Sequence, residues 1–219
     1  MPWTIIYYYH NEPVHLDILK KTNPQAQIIQ LHTEHNLAPT EAHHNCDRVL
    51  RSNLKQKNIL SQVINDNILL VEWDVYINDL IPEINLSSMM TKARSRNNIN
   101  WYWWKEVTKL PNELREYATS APLFSFIAIK KNILQEILND KYDYIFNMQI
   151  FCELRLATIV TSLGYETETF PIELSQHIKD GGDKNDFYPL LNFLIQNPDT
   201  KGIIHPIKSK INSLSDIKI

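Results

Sequence analysis

Glycine is almost missing from this chain: four in 219 residues, Gly164, Gly181, Gly182 and Gly202. A GxGxxG dinucleotide turn and a Walker-type phosphate loop both need closely spaced glycines, so neither is present. If a nucleotide binds, side chains and a metal must hold its phosphates. Cysteine is scarce as well. Cys46 and Cys152 stand far apart with no ligand-like spacing, which predicts reduced thiols in a cytosolic protein. The net charge of -3 advertises no basic surface, and no nucleic-acid partner is expected. No apolar run approaches the length that crosses a bilayer, so no transmembrane segment is expected. The first residues lack the basic start and small-residue cleavage site of a signal peptide. The expected location is the cytoplasm, either free or peripheral to a membrane.

What is present is organised around residues 67–78. Ile68-Leu69-Leu70-Val71 reads as a strand buried on both faces in the middle of a sheet. It runs into Glu72-Trp73-Asp74. On an extended chain, positions 72 and 74 point to the same side. Two carboxylates leaving a buried strand together repel each other, and a divalent cation is the simplest way to make the pair favourable. The plainer reading is that each acid marks where the strand meets solvent. In open α/β sheets ligands gather at the carboxyl ends of strands, which favours the metal.

Upstream, residues 3–9 form an aromatic and β-branched first strand. A helix over 14–21 and a second strand over 27–32 complete a βαβ unit. His10 and Asn11 follow the first strand and His32 the second. The histidines at 32, 35, 43 and 44 match no zinc-finger spacing. A helix over 45–57 carries Asp47 and Arg48 near its start, and Arg48 is placed to fix a nucleotide.

Downstream, residues 79–100 are polar and read as a mobile segment beside the site. Trp101-Tyr102-Trp103-Trp104 follows, either a stacking surface for a sugar or partner or a local core. A buried strand covers 122–129, with a helix over 131–139. A longer helix over 147–163 is stopped by Gly164. On it Glu153 shares a face with the apolar stripe of Leu156 and Val160. Residues 165–170 give a short last strand. From 171 onward periodicity is lost, apart from a brief helix over 187–196. The folded part is expected to span 1–208, with 209–219 a tail.

Four pieces in order resemble the metal-dependent nucleotide-sugar glycosyltransferases of the GT-A fold. These are the N-terminal βαβ unit before Asn45-Cys46-Asp47-Arg48, the acid-x-acid run Glu72-Trp73-Asp74, the Glu153-Leu154-Arg155-Leu156 helix, and Gly202-Ile203-Ile204-His205-Pro206-Ile207-Lys208. The resemblance implies a single-domain, Rossmann-like α/β fold with a mainly parallel sheet flanked by helices. It implies transfer of a sugar from a UDP- or GDP-linked donor to an acceptor hydroxyl on a glycan, lipid or protein. Mn²⁺ or Mg²⁺ would serve as cofactor, the carboxylate and imidazole donors favouring Mn²⁺. By the same resemblance Asp74 and His205 bind the metal, and Glu72 joins them directly, through water, or by holding the ribose. His10, Asn11, His32, Asp47, Arg48, Glu72 and Lys208 hold the donor, and Trp103 and Trp104 face the acceptor. Glu153 is the general base if the reaction inverts the anomeric centre, or else a structural carboxylate. Two alternatives remain: a sugar nucleotidyltransferase, disfavoured by the missing glycine loop after the first strand, and a non-catalytic binding or scaffold protein of the same fold.

Overall fold

A computed structural model describes residues 3–10, 12–13, 15–33, 39–78, 86–97, 100–178, 193–194, 196–197, 200 and 202–207, with backbone alone at 39–43, 78, 94 and 172–173. Asn11, Lys208, the tail 209–219 and most of the expected helix 187–196 lie outside the described residues.

The elements in chain order are β1 (Trp3–Tyr9), α1 (Leu16–Thr22), β2 (Gln27–His32), α2 (Pro39–Gln56), α3 (Ile59–Gln62), β3 (Asn67–Glu72), β4 (Tyr76–Asn78) and β5 (Met89–Ser95). Two 3₁₀ segments, Tyr102–Lys109 and Asn112–Tyr117, lead to β6 (Ser120–Lys130), α4 (Lys131–Ile137), α5 (Asp143–Phe146) and α6 (Cys152–Ser162). The described chain closes with β7 (Thr167–Thr169), α7 (Ile172–Ser175), β8 (His177–Ile178) and β9 (Gly202–His205). None of the described helices is long and apolar enough to cross a membrane.

The main sheet has the order β2-β1-β3-β6-β5-β7. Pairing is parallel except on the two sides of β6, so β6 alone runs against the other five strands. This is the mainly parallel α/β sheet that the sequence predicts. Both faces are covered, which is why β3 is apolar without alternation. One face packs Ile6, Ile68 and Leu70 against Leu50 and Leu54 of α2, Ile133 of α4 and Ile159 of α6. The other packs Ile5, Leu69 and Val71 against Leu16 and Leu19 of α1 and against Ile77 and Ile203 of a second, three-stranded sheet, β4-β9-β8. Each fully buried aliphatic contributes about 1.5–3 kcal/mol.

Three expectations change here. Residues 89–95 are a strand between β6 and β7, not part of a mobile segment. Met89, Met90 and Thr91 are all buried despite the cations that follow them, because β5 alternates between the two cores, with Met89 on one face of the sheet and Met90 on the other. The segment 202–207, in the stretch where the sequence loses periodicity, is buried throughout and its first four residues are hydrogen-bonded into a sheet. The long helix starts at Cys152 instead of 147, because Arg155 Nη1 takes the carbonyls of Phe146 (3.3 Å) and Met148 (2.5 Å) outside the helical ladder.

The end of α6 is where the sequence places it. Gly164 has φ +84°, with its N–H donating to Thr161 O and that of Tyr165 to Val160 O. This is the two-bond Schellman closure. A Cβ at Gly164 would meet nothing within 4 Å, so its cost is purely conformational. Gly164→Ala is expected to lose about 1 kcal/mol, read as a melting temperature lower by about 2–4 °C. An unchanged melting curve would contradict the left-handed assignment.

Candidate active site

The chain winds from β1 through α1 to β2 on one side, then returns across β1 to β3 on the other. The carboxyl ends of β1 and β3 therefore sit at a topological switch point, where α/β sheets open a crevice. His10 follows β1 and Trp73-Asp74 follow β3. The His10 and Trp73 rings meet edge to face at 5.6 Å. His32 Nε2 donates to His10 O at 3.2 Å, and its ring packs on Tyr9. The two histidines expected to hold a donor thus lie together at this edge.

The run 67–78 is not continuous strand. Val75 N–H donates to Glu72 O at 3.1 Å, closing a turn over 73–74, and β4 then joins the smaller sheet. This corrects the expectation that Glu72 and Asp74 point the same way. Glu72 keeps the period of β3 and falls on the Ile68 and Leu70 face, opposite Tyr8. Asp74 turns instead toward β9. Its Oδ1 lies 3.6 Å from His205 Nε2, both side chains buried. Residues 131 positions apart meet there.

The meeting is held by backbone and by groups the sequence did not single out. Ile207 N–H donates to Asp74 O at 2.7 Å, and His15 Nε2 donates to Ile207 O at 2.6 Å. Burial lowers the pKa of His15, favouring the neutral imidazole with its Nε2–H on that carbonyl. Tyr7 OH donates to Trp73 O at 3.0 Å and accepts the His15 N–H at 3.2 Å. Its pKa is pushed up to about 12, first by burial, so it stays a neutral donor. The turn after β3, the start of α1 and the segment after β9 are therefore fixed to one another. Tyr7 and His15 each sit in a run that reads simply as core strand or helix start, which is why neither stood out.

Among the described residues, no three His, Cys, Asp or Glu side chains gather to hold a metal ion, so Glu72 is not brought to Asp74 and His205 as a third ligand. Two donors 3.6 Å apart still reach one cation at about 2.1 Å each. A carboxylate and an imidazole are donors that suit Mn²⁺. The donor pair fits.

Asp47 has another occupation than donor binding. Arg155 Nε donates to Asp47 Oδ2 at 2.9 Å and Nη2 to Oδ1 at 2.5 Å, inside a fully buried pair. Arg155 Nη2 also donates to His44 O. Arg155 thus ties α2 to α6. Arg48 lines an outer groove of about 490 Å³ with Arg51, Lys55 and Asp143, on the surface of α2, apart from the switch point. Glu153 is buried in the first turn of α6, where the helix dipole favours a carboxylate. It and Glu72 both lie close enough to Cys46 to raise its pKa electrostatically, after the larger effect of burial.

The tryptophans pack largely as a local core. Trp103 stacks on Phe151 at 4.6 Å and 16°, while Trp101 packs edge to face on Trp104 and Phe151. Trp103 and Trp104 keep part of their surface open, and Tyr102 is 64 % exposed. Glu106, missed in the sequence, anchors this unit. It is 4 % exposed, accepts the Phe151 N–H at 2.6 Å and Lys109 Nζ at 2.7 Å, and lies 3.5 Å from His44 Nε2. Its pKa is lowered, with burial opposing and the Lys109 and Phe151 hydrogen bonds prevailing. The one signal in the sequence is an acid inside an apolar i, i+3 stripe.

No family model and no curated protein matches this sequence. Among solved structures, the chain is similar to a glycosyltransferase involved in glycosylation of the major capsid of PBCV-1, at 10% identity over 99% of this chain and 98% of that one, with a TM-score of 0.46. It is similar to the galactosyltransferase LgtC in complex with donor and acceptor sugar analogues, at 7% identity, 93% and 86% coverage and a TM-score of 0.46. A nucleoside-diphosphate-sugar pyrophosphorylase from Vibrio cholerae RC9 follows at 11% identity, 77% and 72% coverage and a TM-score of 0.40. Glycosyltransferases recur among them.

Proposed function

We propose that this chain is a glycosyltransferase that moves a sugar from a UDP- or GDP-linked donor to an acceptor hydroxyl, with a divalent metal. One observation carries the reading: Asp74 Oδ1 and His205 Nε2 are buried 3.6 Å apart at the switch point of a mainly parallel sheet. The chemistry that Mn²⁺ or Mg²⁺ supplies when bound there is neutralisation of charge on a departing diphosphate. Asp74 and His205 hold the cation, while Tyr7 and His15 keep the two ligand-bearing segments in register. His10 and His32 line the donor side. Glu153 takes the acceptor proton if the anomeric centre is inverted, and the open parts of Trp103 and Trp104 offer apolar faces to a sugar.

The test is turnover of a panel of UDP- and GDP-sugars with Mn²⁺, Mg²⁺ or EDTA. The expected result is release of nucleoside diphosphate that needs the metal and quickens with an acceptor. Pyrophosphate release from a nucleoside triphosphate and a sugar phosphate would assign a nucleotidyltransferase instead. Metal-dependent binding without any turnover would assign a scaffold.

A further inference from the structure

Cys46 and Cys152 are separated by 106 residues, yet their Sγ atoms lie 2.6 Å apart. Both are free thiols. A disulfide bond is about 2.05 Å long, so closing it takes a movement of about half an ångström. The two cysteines are brought together by rigid neighbours. Cys46 precedes Asp47, Cys152 opens α6, and the Arg155 guanidinium joins the Asp47 carboxylate to the Phe146 and Met148 carbonyls. The contact is therefore built into the packing of α2 on α6.

We propose that Cys46 and Cys152 form a reversible redox site, in which exchange with a small-molecule disulfide of the glutathione class staples α2 to the first turn of α6. The Cys46 thiolate attacks one sulfur of oxidised glutathione, breaking its disulfide and releasing one glutathione thiolate. The Cys152 thiolate then attacks Cys46 Sγ, forming the internal bond and releasing the second glutathione. The two protein thiols are oxidised, one glutathione disulfide is reduced to two thiols, and the two thiol protons pass to the glutathiones. Cys46 is the less buried of the two residues and takes the first exchange, whereas Cys152, 3 % exposed, resolves the mixed disulfide. Burial raises both thiol pKa values, which makes the exchange slow. The staple would fix the spacing of α2 and α6, which carry the two cysteines. The thiol contact itself stands whatever reaction the chain catalyses.

The experiment equilibrates the full chain in buffers of graded oxidised-to-reduced glutathione, quenches with acid, alkylates under denaturing conditions and weighs the product. Both thiols should disappear together at one midpoint, with loss of two hydrogens, no retained glutathione, and full reversal by reductant. The oxidised chain should melt at least about 5 °C higher, because the bond closes a long loop in the unfolded chain. Cys46→Ser should show no such shift. Thiols alkylated at every ratio, glutathione retained on both cysteines, or two separate midpoints would overturn the proposal. The wild-type mass result decides the matter even if Cys46→Ser does not fold.

Discussion

Asp47→Ala should destabilise the chain by about 3–5 kcal/mol, lowering its melting temperature by roughly 10 °C. The magnitude follows from what is left behind. Arg155 is fully buried, and Asp47 is the carboxylate that meets its guanidinium in a two-point contact. Removing that carboxylate strands a cation which, among the described residues, keeps the carbonyls of His44, Phe146 and Met148 as its hydrogen-bond partners. The pair itself is not the source of the number, since two buried charges are costly to desolvate. Replacing both at once, as Asp47→Leu with Arg155→Met, should recover most of the loss. Urea unfolding of the three chains measures this. A loss below about 1 kcal/mol for Asp47→Ala would show that water or another acid serves Arg155.

The second large effect is on activity. Asp74→Asn keeps the shape of the side chain and leaves Asp74 O to accept the Ile207 N–H, so the fold should be undisturbed. It removes the formal charge that Asp74 offers to a cation beside His205. Metal-dependent turnover of a nucleotide-sugar should fall by about 10²-fold or more, roughly 3 kcal/mol of transition-state stabilisation. His205→Gln, chosen to limit the cavity, should fall in the same direction. The two losses should not add, because both residues act through one bound ion. Turnover by Asp74→Asn at the wild-type rate would leave the site without its charge argument.

How much of this the sequence carried depends on the range of the interaction. The βαβ unit, the buried β3 and the Gly164 stop are local patterns, and each stands within a residue or two of its expected place. β5 was hidden because Lys92, Arg94 and Ser95 mask Met89, Met90 and Thr91, whose burial comes from neighbours distant in sequence. The turn at 73–74 was hidden for a similar reason. Nothing between Val71 and Tyr76 breaks an extended reading, and it is pairing with β9 that pulls β4 into another sheet. Asp74 and His205 were legible as residue types and through the resemblance, and their proximity is a property of the fold. An early helical acid such as Asp47 reads the same in sequence whether it faces a ligand or a buried arginine 108 residues away. Tyr7, His15 and Glu106 carry no pattern of their own. Their roles rest on hydrogen bonds to backbone groups that no spacing rule reaches.

Uptake of Mn²⁺ is the most direct test of the central claim, followed by the loss of the free-ion paramagnetic resonance signal with UDP or GDP present. Wild type should take up a single ion per chain in the presence of nucleotide. Asp74→Asn and His205→Gln should each bind it at least about 10-fold more weakly while retaining the wild-type melting temperature within a few degrees. Uptake by both variants that matches wild type would contradict the claim that these two residues share one cation.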